Sequence, residues 1–272
     1  MPKKLSPSRV PELIALLESR YGGVTTALAH ENAFQLLVAT ILSAQTTDKL
    51  VNLVTPALFA RFPDARSLAA ADLGEVEKLV GRVNFYRNKS KNLVAMAKAL
   101  VEKHGGEVPR TMEELVALPG VARKTGNVVL GSAFGIPSGV VVDTHVARVS
   151  QLLGLTTQSD PVKIEQDLMK VVPKDKWVLF AHMLIHHGRE VCIARRPQCD
   201  VCVVNTVCVS AFKAPGYVGE RAAARAERGT AKKEKAIRSP RFGAKKPAKP
   251  AARAAKPSRR KPAASKATRK KR

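Results

Sequence analysis

Apolar side chains recur every three or four positions along most of the chain between residues 8 and 189. This spacing places them on one face of a helix. It predicts helices over residues 8–20, 33–44, 49–62, 73–83, 88–104, 112–117, 161–172 and 176–189. Two more are expected in between, one that begins at residue 123 and another that ends at residue 153. A run of three valines at 140–142 resembles a short strand, but alternation of period two is otherwise absent. The predicted fold class is therefore all-α, with many short helices and short loops.

The charge of the chain is concentrated at its end. Residues 213–272 contain 22 Lys and Arg against three Glu, a net charge of +19, whereas residues 1–212 carry +6. The end segment is rich in Ala, Lys, Arg, Pro and Ser, so it cannot bury enough apolar surface to offset its ordering entropy. We predict a disordered tail over 213–272. It either only solubilises the protein or also binds polyanions through counterion release.

The cysteines and the first residues bear on the compartment. The first residues do not have a signal-peptide pattern, and the chain has no apolar run of about 18 residues that could span a membrane. All four cysteines lie between Cys192 and Cys208. In a chain without a secretion signal, such clustering favours metal ligation over disulfides. We expect a cytoplasmic protein with one metal centre.

A tight turn that opens into a helix occupies residues 118–130. Pro119 cannot lie in a helix interior, and Gly120 tolerates a positive φ. A helix beginning at Arg123 presents free N–H groups and a positive dipole end, which suit a phosphate oxygen. Such a contact holds nucleic acid without reading its bases.

Lys124 follows in the first turn of that helix. The helix N-terminus and the neighbouring Arg123 disfavour the charged ammonium, and a neutral amine is a nucleophile. The alternative is an ordinary solvated lysine, which is common in Lys-rich chains. The residues alone leave both open.

Asp143 follows the apolar run at 140–142 and precedes another predicted helix. A carboxylate in this position is typical of an N-cap. This capping role is compatible with a chemical one, because a capping carboxylate on the wall of a cleft can also accept a proton or stabilise positive charge.

The cysteines follow the spacing Cys192-x6-Cys199-x2-Cys202-x5-Cys208. Zinc ribbons usually split their ligands into two distant Cys-x-x-Cys pairs, whereas this chain has one such pair and two longer intervals. The spacing suits a larger iron–sulfur cube better. Arg195 and Arg196 lie between the first two cysteines, either as phosphate contacts or as plain surface charge.

These segments together resemble the endonuclease III family of helix-hairpin-helix DNA glycosylases, over residues from about 10 to 210. Lys124 and Asp143 match the family's catalytic lysine and aspartate, and the four cysteines match its [4Fe–4S] ligands. The resemblance implies DNA contacts from Gly120, Ala122, Arg123, Arg195 and Arg196. Ala122 stands where the family often has glycine, so we expect a right-handed backbone there rather than a left-handed one.

Two further positions follow from the same resemblance. Gln45, in the segment 42–48, matches the glutamine that fills the gap left by a flipped-out base. Phe85, in the segment 83–89, matches an apolar residue inserted from a second loop, although a phenylalanine is more often part of a core. Asn84 stands where glycine is common, so this loop can differ in backbone. His182, His186 and His187 are expected to be structural, because the acidic residue of a His-Glu-x-x-His zinc site is missing.

The resemblance implies a bifunctional DNA glycosylase with abasic-site lyase activity on oxidised pyrimidines, which acts as a monomer on damaged duplex DNA near the bacterial nucleoid. It implies an N-terminal helix (1–24) packed with a cluster domain (136–212), and a domain carrying the hairpin (25–135). One alternative is an adenine-mismatch glycosylase, which generally lacks a lysine at the position of Lys124. The other is a non-enzymatic helix-hairpin-helix protein that coats DNA.

Overall fold

The computed structural model describes residues 4–219, which belong to one compact unit. Within this range the chain forms helices and turns but no strand, so the all-α prediction is confirmed. The helices are α1 (Val10–Tyr21), α2 (Ala33–Ser43), α3 (Asp48–Arg61), α4 (Ala65–Ala69), α5 (Leu73–Val80), α6 (Tyr86–His104), α7 (Met112–Val116), α8 (Arg123–Phe134), α9 (Thr144–Leu153), α10 (Pro161–Val171) and α11 (Trp177–Glu190). Short 3-10 turns cover Pro7–Arg9, Lys174–Lys176 and Cys199–Val201.

Two local predictions differ from the structure. The valines at 140–142 are not in a strand; Val140 and Val142 are buried in a helical core on the way to α9. Helix α4, which is five residues long, was missed. It is specified by a reciprocal cap in which Asp64 Oδ1 accepts from the Ser67 N–H and Ser67 Oγ accepts from the Asp64 N–H. That capping pattern was the sequence signal for it.

The buried apolar side chains form two clusters. The first is built from residues 28–130 and centres on α2, which has nine consecutive buried residues, and on the inner faces of α3, α5, α6 and α8. The second joins α1 to residues 140–207, chiefly α9, α10 and α11. The predicted domains, 25–135 and 1–24 with 136–212, group the same segments. Their boundaries stay a prediction.

Close helix contact and ion pairs position the second cluster. Helix α11 crosses α9 at Gly188, where an added Cβ would lie 3.0 Å from His145 Cβ. Arg189 Nη2 donates to Asp48 Oδ2 at 2.8 Å, which joins the end of α11 to the start of α3. Arg189 and Asp48 both line the cavity described below.

The chain continues past the last cysteine along the surface of the second cluster. Ala214 is buried, and the Tyr217 hydroxyl donates to Asp200 Oδ1 at 2.9 Å. The start of the predicted tail therefore contacts the body, and residues 220–272 lie outside the described residues. Among the helices of residues 4–219, none is long and apolar enough to cross a bilayer.

Candidate active site

The hairpin turn leads into α8 as its sequence predicts. Gly120 has a φ of +78°, and a Cβ there would lie 2.8 Å from Asn92 Cβ, so both backbone conformation and space require glycine. Ala122 has a φ of −92° and a ψ of 164°. Its backbone is therefore extended, so the predicted right-handed conformation is wrong, and alanine adopts the extended one without strain. Ala122 is the N-cap of α8 and supplies no side-chain acceptor, which leaves first-turn N–H groups available to an anion.

Lys124 and Asp143 line the same cavity of about 330 Å³. Lys124 projects from the first turn of α8, a helix of the first hydrophobic cluster. Asp143 begins α9, a helix of the second cluster. A cavity of this size holds a small organic ligand. Other lining residues come from three further segments: Thr25, Thr26, Ala27 and Leu28; Ser43, Ala44 and Gln45; and His182, Ile185, His186 and Arg189.

Asp143 is an N-cap. Its Oδ1 accepts from the backbone N–H groups of His145 and Val146, both at 2.8 Å. One carboxylate oxygen is thereby held by the helix it begins, which fixes the side chain beside the cavity. The capping role is therefore observed, and the chemical role stays a prediction.

Arg123 is engaged within the protein. Its guanidinium contacts both carboxylate oxygens of Glu165 on α10 at 3.3 Å. Glu165 is 7% exposed and also accepts from Asn127 Nδ2 at 2.9 Å, so a buried charge is paired and hydrogen-bonded. Arg123 was predicted as a DNA contact, and that role stays a prediction; its observed role is to tie α8 to the second cluster. Glu165 was missed, although an acidic residue on the apolar face of α10 was a signal.

The three histidines form hydrogen bonds within the protein. His187 Nδ1 lies 3.3 Å from the Tyr21 hydroxyl, and His182 Nε2 lies 3.3 Å from Ser132 Oγ. Burial lowers the pKa of His182 and of His187 to about 4, so both are neutral at pH 7. His182 and His186 nevertheless line the cavity with Lys124, a proximity that their helical spacing did not reveal.

Gln45 and Phe85 share an uncommon backbone conformation. In residues 4–219, left-handed φ angles occur at three residues other than glycine, and two of them are Gln45 at +54° and Phe85 at +57°. Such a conformation costs a side-chain-bearing residue on the order of 1 kcal/mol, and strain of this kind tends to occur at functional sites. Both side chains are exposed, and Phe85 is 63% accessible, which excludes the alternative of a core phenylalanine. Only Gln45 of the two lines the cavity.

The four cysteines line one pocket beneath α9 and α11. Burial raises the pKa of the Cys192 and Cys208 thiols, and raises that of Cys202 to about 11. In the described chain, no three His, Cys, Asp or Glu side chains are grouped tightly enough to hold one metal ion. The four thiols around this pocket are soft donors of the kind that ligate zinc or iron–sulfur clusters.

The cysteine pocket supports the helix that carries Asp143. Arg148 on α9 donates to the carbonyl oxygens of Cys192 and Gly188, and Cys208 Sγ contacts the Leu152 carbonyl at 3.6 Å. Arg195 and Arg196 are exposed on the loop between the first two cysteines. A group that holds this loop rigid would therefore stabilise both α9 and the position of the two arginines.

Comparison with known proteins agrees with this architecture. Residues 38–174 match the family described as HhH-GPD superfamily base excision DNA repair protein. The chain is 54% identical to endonuclease III of Synechocystis sp. over 203 residues, which cover 75% of this chain and 93% of that protein. It is 46% identical to endonuclease III of Bacillus subtilis over 182 residues, covering 66% and 83%.

The structure resembles solved structures of the same kind. It superposes on a trapped endonuclease III–DNA covalent intermediate with a TM-score of 0.72 and 40% sequence identity, covering 77% of this chain and 98% of that one. Family match, sequence identity and fold agree. The chain therefore belongs to the endonuclease III family, within the HhH-GPD superfamily of base excision DNA repair proteins.

Proposed function

We propose that Lys124 and Asp143 are the catalytic pair of this enzyme, a bifunctional DNA glycosylase and abasic-site lyase of base excision repair that removes oxidised pyrimidines. The observation that carries the proposal is the shared cavity, in which a nucleophile from α8 and a carboxylate from α9 line the same space. Family membership favours this function over the adenine-mismatch and non-enzymatic alternatives. The substrate nucleotide leaves the base stack before it reacts, because its sugar cannot be reached inside a duplex.

The reaction has three steps. The neutral amine of Lys124 attacks C1′ of the flipped nucleotide, and the C1′–N bond breaks with its electron pair going to the leaving base. Asp143 assists by moving a proton or by stabilising the positively charged sugar. The bound amine then loses a proton, and its lone pair forms the C1′=N bond of a Schiff base as the C1′–O4′ bond breaks and O4′ takes up a proton. This Schiff base acidifies the C2′ proton, and loss of that proton expels the 3′-phosphate and nicks the strand.

Duplex DNA would be held on either side of the cavity. The free N–H groups at the start of α8, with Gly120 and Ala122 in the turn, suit a backbone phosphate. Arg195 and Arg196 add exposed positive charge on a separate loop. Gln45 and Phe85 would enter the base stack and replace the extruded nucleotide, as inserted side chains do in other kinked duplexes. The enzyme would bind as a monomer.

Borohydride trapping on a duplex that carries thymine glycol tests this function. Reduction of the Schiff base should leave one protein covalently attached to each cleaved strand, and the same duplex without the lesion should give no adduct. Release of the base without any trapped adduct would show a glycosylase that lacks the lyase step.

A [4Fe–4S] cluster is the cofactor that we propose for Cys192, Cys199, Cys202 and Cys208. Members of this family typically bind one, and the four thiols are the donor set that it requires. When bound, it supplies four metal–thiolate bonds that hold the loop of Arg195 and Arg196 against α9. No chemical step is assigned to it.

The purified protein should contain about four irons per chain and be brown, because all four ligands are present. Cys199→Ser should lose iron, and the segment after α11 should unfold. Ser210→Ala is the control, because Ser210 lines the same pocket but is not a ligand; this variant should retain its iron. Anaerobic preparations that hold one zinc and no iron would contradict the proposal.

The tail is proposed to act as an electrostatic tether that keeps the enzyme near nucleoid DNA. Its net charge of +19 over residues 213–272 should add non-specific affinity without lesion choice, since phosphate contacts do not read bases. Removal of residues 220–272, which spares the packed residues Ala214 and Tyr217, should weaken binding to undamaged duplex and flatten its dependence on salt concentration. Equal salt slopes for the two proteins would show that the tail does not touch DNA.

A further inference from the structure

Two loops expose the side chains that the proposed function inserts into DNA. The first, residues 44–47, follows α2 and carries Gln45; the second, residues 83–85, precedes α6 and carries Phe85. Side-chain hydrogen bonds between residues 39 to 47 positions apart along the chain join these two regions directly. These bonds come from Asn84, which precedes Phe85, and from Lys89, which lies in the first turns of α6.

Lys89 bonds three acceptors, one in the last turn of α2 and two in the first loop. Its side chain is 6% exposed, and its ammonium donates to the carbonyl oxygens of Leu42 at 2.8 Å and Ala44 at 2.6 Å and to Thr46 Oγ1 at 3.0 Å. An ammonium has three protons, so its donor capacity is matched by these three acceptors. The two carbonyls lie at the C-terminal end of α2, where the helix dipole favours a cation.

Asn84 makes the other bond. Its Nδ2 donates to the backbone carbonyl of Gln45, a residue whose φ lies in the left-handed region. Glycine, which is common at this position in the family, has no side chain with which to form this bond. The connection between the two loops at Asn84 therefore depends on the amide side chain that this chain has there.

We infer that Asn84 and Lys89 clamp the Gln45 and Phe85 loops into one rigid unit, so that both side chains are presented to DNA together and already in place. The inference rests on the proposed insertion of Gln45 and Phe85. Asn84 and Lys89 are positioning residues in this account, because each acts through another residue. Preformed geometry matters since a misplacement of about 1 Å in a positioning group can cost about a hundredfold in rate.

The primary test is Asn84→Ala, measured as the single-turnover rate of base release from a thymine glycol duplex with saturating enzyme. Asn84 is exposed, so folding should not suffer. We expect a loss of about five- to tenfold. Asn88→Ala, which changes another exposed asparagine four residues away on α6, should stay within about twofold of the wild type.

A double-mutant cycle separates positioning from a general structural effect. In the background Gln45→Ala/Phe85→Ala the clamp has nothing to position, so adding Asn84→Ala should change the rate less than about twofold. The loss of rate caused by Asn84→Ala should also be smaller when an abasic site lies opposite the lesion, because an unpaired base is easier to extrude. Lys89→Met should follow the same pattern with a larger loss, about ten- to a hundredfold, and Lys98→Met, an exposed lysine of α6, should have no effect.

The outcomes distinguish this inference from the proposed function. If the Gln45→Ala/Phe85→Ala enzyme is as fast as the wild type, the insertion roles are wrong and the clamp is overturned with them. If that enzyme is slow but Asn84→Ala costs the same factor in both backgrounds, or costs nothing in the wild type, only the clamp is overturned.

Discussion

Lys124→Gln is expected to abolish covalent trapping and to lower base release by at least about a thousandfold, while the protein still folds and binds damaged duplex. Glutamine keeps a polar side chain of similar length in the first turn of α8, where Lys124 is exposed, so little packing is lost. It has no basic amine, and without a nucleophile the Schiff base cannot form. Losses of this size are usual when a covalent nucleophile is removed.

The measurement is borohydride trapping combined with single-turnover base release and a binding titration. Lys163→Gln is a matched control, because Lys163 is exposed on α10 and does not line the cavity. It should behave like the wild type. A trapped adduct that persists in Lys124→Gln would mean that another amine is the nucleophile.

Asp143→Asn is expected to lower the rate of base release by about a hundredfold or more without a comparable loss of stability. Asparagine caps helices about as well as aspartate, so its amide oxygen can still accept from the N–H groups of His145 and Val146. The lost charge should cost less than about 1 kcal/mol of unfolding free energy through the helix dipole. General acid–base assistance, by contrast, typically contributes about 10²- to 10⁴-fold.

Asp143→Ala completes the comparison, since it removes both functions. Its rate should be as low as that of Asp143→Asn, and its unfolding free energy should fall by about 1 kcal/mol further because the cap is lost. Thermal unfolding and single-turnover kinetics on the same samples give both quantities. If Asp143→Asn works at nearly the wild-type rate and only Asp143→Ala is impaired, the carboxylate is a cap and not part of the chemistry.

Much of the local structure could be predicted from the sequence because its causes are local. Apolar residues three and four apart predicted most of the helices, and Pro119 with Gly120 predicted the start of α8 at Arg123. The N-cap at Asp143 was likewise predicted from one carboxylate after an apolar run. The family resemblance, which rests on motif spacing, was confirmed by the comparisons.

Other features depend on residues that are distant along the chain. Arg123 and Glu165 are 42 positions apart, and Lys89 and Ala44 are 45 apart. No periodicity or capping rule relates such positions, and the pairing forms only when α8 packs near α10, or α6 near the end of α2. The same holds for the backbone of Gln45 and Phe85, since a left-handed conformation at these residues is maintained by surrounding contacts and not by their own preference.

The sequence by itself therefore determined most of the helices, the turn before α8 and the cap at Asp143, because each follows from neighbours within a few residues. Only the tertiary structure decided that Lys124 and Asp143 line one cavity, that Arg123 is paired with a buried carboxylate, and that Asn84 and Lys89 join the two exposed loops. The physical reason is that a helix is stabilised by bonds between positions four apart, whereas a site is assembled by packing two hydrophobic clusters whose members lie far apart in the chain.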